Sequence, residues 1–150
     1  MIALLARKAR AAVDVARAAL AVSRARRLIA RRPIGTLVET SAALVQEPDQ
    51  HVLPEADRQR GARWGVAVDR ALRWLPGDSA CLVRASALRE LVVTRGLPRA
   101  TVRIGVRRLA AGFEAHAWVE QDGLSIAEPP ALQGAFETFD GVTIRSDGRP

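Results

Sequence analysis

Between Glu55 and Leu75 the apolar residues Trp64, Val68, Ala71 and Leu75 recur every three or four positions, with Arg and Asp between them. That spacing predicts an amphipathic helix, which Pro76-Gly77 then ends. A second helix is predicted to begin at Asp78 or Ser79, since either side chain can accept backbone donors of the first turn. Cys81, Ala85, Leu88 and Val92 share its apolar face, and Gly96 followed by Pro98 stops it. Beyond Pro98 the period changes. In "TVRIGV" Val102, Ile104 and Val106 alternate with Thr101, Arg103 and Gly105, the pattern of a half-buried strand. "FEAHAWVE" and "LSIAE" read as two further strands joined through Gln121-Asp122-Gly123. After Pro129-Pro130 the pattern fades into a tail with Phe136 and Phe139 as candidate anchors.

Residues 2–32 are rich in Ala, Leu, Val and Arg, with no Gly or Pro before Pro33, which predicts one long helix or two shorter ones. Arg24, Arg26, Arg27, Arg31 and Arg32 make its end strongly basic, which suits a helix C-terminus. They read either as a solvated face packed by its stems or as a docking surface for an acidic partner. Residues 37–45 read as a short helix, and Glu47 to Pro54 as a loop in which His51 has no partner spaced for metal or nucleophile work. Helices followed by antiparallel strands imply an α+β fold. Residues 1–54 form a helical N-terminal region and residues 55–150 the core, as one compact unit.

Composition narrows the function. About half of the 150 residues are apolar and about a quarter charged, as in ordinary globular proteins. The net charge of +7 and a pI near 11.4 favour an anionic partner. The chain has no tyrosine, and its three tryptophans and three phenylalanines are scattered, so the stacking platform of a nucleic-acid module is missing. No nucleic-acid partner is expected. No uncharged apolar run approaches the roughly 18 residues of a membrane span. Apolar Met1 to Ala6 precede Arg7, Lys8 and Arg10, the reverse of a secretory signal, so no membrane contact is expected. A single cysteine suits a reducing, cytoplasmic setting. One cysteine and two histidines make no zinc pattern, and neither metal nor cofactor is expected.

Cys81 admits two readings. A free cysteine on an apolar helical stripe is commonly a buried core residue. In a first helical turn, however, unpaired N–H groups and the helix dipole stabilise a thiolate and could hold an oxyanion. A nucleophilic cysteine also needs a base, and His116 lies mid-strand in "FEAHAWVE". Two hairpin registers are open. A two-residue loop at Asp122-Gly123 sets His116 opposite Pro129, a poor ladder residue. A three-residue loop with Gly123 left-handed sets Glu120 opposite Leu124, Trp118 opposite Ile126 and His116 opposite Glu128. The second is the register expected. Opposed residues share a face at about 5 Å, so Glu128 could hold the imidazole in one tautomer. Cys81, His116 and Glu128 then form nucleophile, base and orienter.

The run from "RALRWLPGDSACLVRASALRELVVTRGLPRATVRIGVRR" to "AHAWVEQDGLSIAE" resembles the leader peptidases of lasso-peptide biosynthesis. The matching segments are "CLVRASALRELVVTRG", "VRIGVRR" and "AHAWVE", in family order. The resemblance implies a transglutaminase-like, papain-related cysteine protease in which Cys81 attacks a leader-peptide bond, His116 is the base and an acid orients His116. The family normally has aspartate where this chain has Glu128, which leaves Asp122 or a water as alternative orienters. Trp74 matches a tryptophan frequent before the nucleophile helix and is read as a core anchor whose indole could assist an oxyanion. The implied partners are the precursor peptide, a separate winged-helix leader-recognition protein and an asparagine-synthetase-like cyclase that uses ATP. Residues 1–65 lack the strand alternation of a recognition module, so a standalone peptidase is expected. Two alternatives stand beside it: a transglutaminase-like acyl transferase, and a noncatalytic peptide-binding module with a degenerate triad.

Overall fold

Helix α1 (Ile2–Arg31) runs unbroken for 30 residues, as its lack of Gly and Pro predicts. The computed structural model describes residues 1–31, 38–40, 53–75, 77, 81–129, 132, 134–138 and 142–144. After α1 come β1 (Val38–Thr40), α2 (Glu55–Trp74), α3 (Cys81–Val93), β2 (Thr101–Leu109), β3 (Gly112–Gln121), β4 (Leu124–Ile126), β5 (Glu137–Thr138) and β6 (Val142–Ile144). An antiparallel sheet runs β4-β3-β2-β5, and β1 pairs separately with β6. Helices and an antiparallel sheet make this the expected α+β fold.

Two local expectations need correction. Residues 38–40 are a strand, not part of a helix over 37–45, because Val38 to Thr40 pair with Val142 to Ile144 far along the chain. A three-residue strand whose partner is that remote leaves no local period to read. The other residues of 37–45 lie outside the described residues, as do His51, Asp78, Ser79 and Phe139. The tail also contributes β5, which pairs with β2 as an edge strand.

Helix α3 is the centre of the core. Val83, Ala85, Ala87, Leu88, Leu91 and Val92 are all buried, because α1, α2, β2 and β3 all pack against it. A helix covered on so many sides needs no polar face, so the single stripe expected from Cys81, Ala85, Leu88 and Val92 was too narrow. Past its end Gly96 takes a left-handed φ of 111°, and the Leu97 N–H reaches back to the Val92 carbonyl at 3.0 Å. Leu97 is buried against the core, completing the cap.

The buried core residues of helix α1, Ala18, Ala21, Val22 and Ala25, lie in its second half. The polar anchor of α1 is Asp14, 5 % exposed, whose two oxygens accept from Nε and Nη2 of Arg63 on α2 at 2.7 Å each. Asp14→Ala should cost about 2 kcal/mol, the scale of a charge-assisted bond, since half-exposed Arg63 can turn to water. A thermal melt should register this as a fall of about 4–8 °C. The basic end of α1 is neither simply solvated nor free. Arg24 pairs with Glu90 of α3 at 2.5 Å, and Arg26 donates to the Gly77 carbonyl, in the turn before α3, at 3.2 Å. Among the described residues, no helix is long and apolar enough to cross a membrane.

Candidate active site

Helix α3 opens on Cys81, which is half-buried and packs against the core. Strand β3 carries His116 mid-length, opposite Gly105 of β2. A Cβ at Gly105 would come within 2.8 Å of the Trp118 ring and 3.0 Å of Phe136 Cβ. Only a bare backbone leaves room for the aromatic shelf around the imidazole. Trp118 stacks with His116 at a centroid distance of 6.0 Å and 15° between planes, and Phe136 lies 5.2 Å from it, tilted. Beside the imidazole a cleft of about 210 Å³ is lined by His116, Trp118, Glu120, Leu124, Glu128 and Phe136 among others. Trp118 Nε1 donates to Glu120 Oε1 at 2.7 Å, and Arg103 holds the other Glu120 oxygen at 3.1 Å.

The hairpin register differs from the expected one. Gln121 pairs with Leu124, Glu120 with Ser125 and Val119 with Ile126, so the loop has two residues. Asp122 and Gly123 have φ of 54° and 76°, the type I′ turn whose twist suits paired strands. Continued, that register would bring Pro129 to His116. The ladder stops at Ile126 instead, and Ala127 takes a left-handed φ of 58°, uncommon for a residue with a Cβ. The chain turns there, and Glu128 meets His116: Nε2 lies 3.3 Å from Oε2. The two residues are brought together by a kink rather than by the pairing.

Helix α2 supplies the seat for that kink. Gly61 and Gly65, one helical turn apart, face β4. A Cβ at Gly61 would stand 2.5 Å from Ile126 Cγ2, and one at Gly65 2.5 Å from Ala127 Cβ. Alanine in a helix gains about 1 kcal/mol over glycine, but overpacking costs about 1–3 kcal/mol. Gly65→Ala should therefore lower the melting temperature despite better helix propensity, and it should displace Glu128 with Ala127. An unchanged or raised Tm would show that this contact relaxes freely.

Glu128 is only 5 % exposed, and its second oxygen accepts from Arg84 Nη1 at 2.5 Å. Arg84 also donates to the Ala127 carbonyl at 3.1 Å and to Asp69 Oδ1 of α2 at 2.7 Å. Burial works against the Arg84 charge, but its bonds to Asp69 and the charges of Asp69 and Glu128 outweigh that and raise its pKa. Sequence reasoning missed Arg84. The signal was there: an arginine three residues after Cys81, inside an apolar helix, needs an acid to face.

Asp122, the alternative acid, lies at the hairpin turn and faces Arg99, accepting from its Nε and Nη2 at 3.0 and 2.7 Å. Trp74 is not a core anchor: at the end of α2 it is 84 % exposed. In the tautomer protonated at Nε2, His116 donates to Glu128 and keeps its Nδ1 lone pair for a proton, which is what a base for a thiol requires. Among the described residues the Cys81 thiol makes no hydrogen bond, and it lies outside the cleft lining. The structure thus joins His116 to Glu128 and sets Cys81 at the helix start without a bond to the imidazole.

A family model described as Transglutaminase-like superfamily matches residues 2–139. No curated protein and no solved structure matches the chain.

Proposed function

We propose that this chain, which belongs to the transglutaminase-like superfamily, is a cysteine endopeptidase that removes the leader from a lasso-peptide precursor. The superfamily's fold is typical of cysteine proteases and acyltransferases. The observation that carries the reading is the 3.3 Å contact of His116 Nε2 with the buried Glu128 carboxylate. It sits on a sheet packed against the helix that begins with the chain's single cysteine. The lasso assignment is supported by the segments around Cys81 and His116. In the proposed cycle the Cys81 thiolate attacks the carbonyl of the last leader residue. His116 gives its proton to the departing amine of the core peptide, leaving the leader as a thioester on Cys81. Water, deprotonated by His116, then hydrolyses the thioester and frees the leader.

The proposed partners are the precursor, a winged-helix recognition protein and a lasso cyclase, all in the cytoplasm, with no cofactor on this chain. Residues 55–150 carry the chemistry, and α1 offers Arg7, Arg10 and Arg17 as an exposed basic face for docking. Mass spectrometry of precursor incubated with the protein and the recognition protein tests the reading. Two products should appear, a leader with a free carboxylate and a core peptide with a new amine. A leader joined to an added amine instead would mean an acyl transferase, and intact precursor with an unreactive thiol would mean a binding module.

A further inference from the structure

Four ionisable groups stand in a row: Asp69 of α2, Arg84 of α3, Glu128 after β4 and His116 of β3. The middle two are nearly buried, at 19 % and 5 % side-chain exposure. Arg84 lies on the same helix as Cys81, three residues on, hence on the same side. Its guanidinium grips the Glu128 carboxylate and the carbonyl of kinked Ala127 at once. A planar fork with fixed donors can hold two acceptors in a set geometry, which a single ammonium cannot.

We propose that Arg84 is a positioning residue that clamps the nucleophile's helix to the acid behind the base, holding the Glu128 carboxylate aimed at His116. The inference rests on the peptidase reading for its catalytic meaning, but not for its geometry. Among the described residues, the ionisable groups around Glu128 are Arg84 of α3, Asp69 of α2 behind it, His116 of β3, and across the cleft Glu120 of β3, which Arg103 of β2 holds. Of these only Arg84 supplies Glu128 with a permanent cation. Without Arg84, the hold on the Glu128 oxygen facing away from His116 and on the Ala127 carbonyl is lost, and the carboxylate is free to turn from Nε2. A Glu128 turned from Nε2 would leave the imidazole without its acceptor, so neither tautomer would be favoured and an imidazolium would lose its carboxylate.

Alkylation of Cys81 by iodoacetamide, followed from about pH 5 to 9, tests the clamp in wild type, Arg84→Gln and Arg84→Lys, with thermal melts in parallel. In Arg84→Gln the rate near pH 6.5 should fall about tenfold and its acid limb should move up by about one pH unit, because the imidazolium loses its carboxylate. Arg84→Lys keeps a charge without the fork, so the limb should stay in place while the rate falls about threefold. A folded Arg84→Gln chain with the wild-type limb would make Arg84 a stability pair only. A limb moved to lower pH would make it a brake on Glu128. Either result overturns the proposal. Should Arg84→Gln fail to fold, Arg84→Lys decides alone, and a wild-type rate overturns the clamp. A second readout is independent of thiol chemistry. In a Cys81→Ala background, 15N shifts of the His116 ring should report Nε2–H with Arg84 present, and lose that preference in Arg84→Gln. An unchanged tautomer overturns the clamp. If wild-type Cys81 alkylates no faster than glutathione, the peptidase reading fails while the tautomer still decides the role of Arg84.

Discussion

Cys81→Ala should cut precursor at least about a thousandfold more slowly than wild type while melting within a degree or two of it. The side chain is half-buried and small, so losing one sulfur leaves little cavity, and the helix start gains a good helix former. The chemistry has no substitute, since the chain holds no second thiol. Single-turnover cleavage followed by mass spectrometry measures the loss. A variant that still cut at a comparable rate would remove Cys81 from the mechanism, and with it the meaning given to His116.

Glu128→Gln is expected to follow in severity, slowing cleavage by roughly two to four orders of magnitude, the cost of holding an imidazole in the wrong tautomer. The direction follows from Arg84. Its Nη1 needs an acceptor, so the amide oxygen of the new side chain turns to it and the NH₂ turns to His116 Nε2. That ring nitrogen then has to accept, and the proton moves to the nitrogen needed as a base. Asp122→Asn should leave the rate within about twofold, because Asp122 pairs with exposed Arg99 at the turn, and such surface pairs are worth little. Equal losses at the two positions would return the orienting role to an open question between them.

The gap between what the sequence disclosed and what it hid has a physical cause. Period carried α2, with Trp64, Val68 and Ala71 buried as their spacing required, and it carried β3 as a strand holding His116. Both depend on side chains a few residues apart. The meeting of His116 with Glu128 was anticipated through a register that the chain does not adopt. Its true origin is the left-handed Ala127, and that depends on Gly61 and Gly65, more than sixty residues upstream. No local pattern in "LSIAE" announces a break after Ile126. Trp74 shows the opposite limit, since a large aromatic ring near a helix end looked like core yet stands largely exposed. Arg84 was hidden for a third reason: its partners Asp69 and Glu128 come from separate elements, and only the fold brings them together.

The aromatic shelf gives the site an optical signal of its own. The chain's three tryptophans sit in three settings: Trp64 buried beneath the Arg95 guanidinium, Trp118 stacked on His116, and Trp74 out in solvent. An imidazolium quenches an adjacent indole more strongly than a neutral imidazole does. Trp118 emission should therefore dim as His116 gains its proton, while Trp74 answers to iodide added from outside and Trp64 to neither. With Trp74 replaced by phenylalanine, the pH titration of the remaining fluorescence would follow one ring nitrogen, and the protein would need no added label to reveal when its histidine is charged.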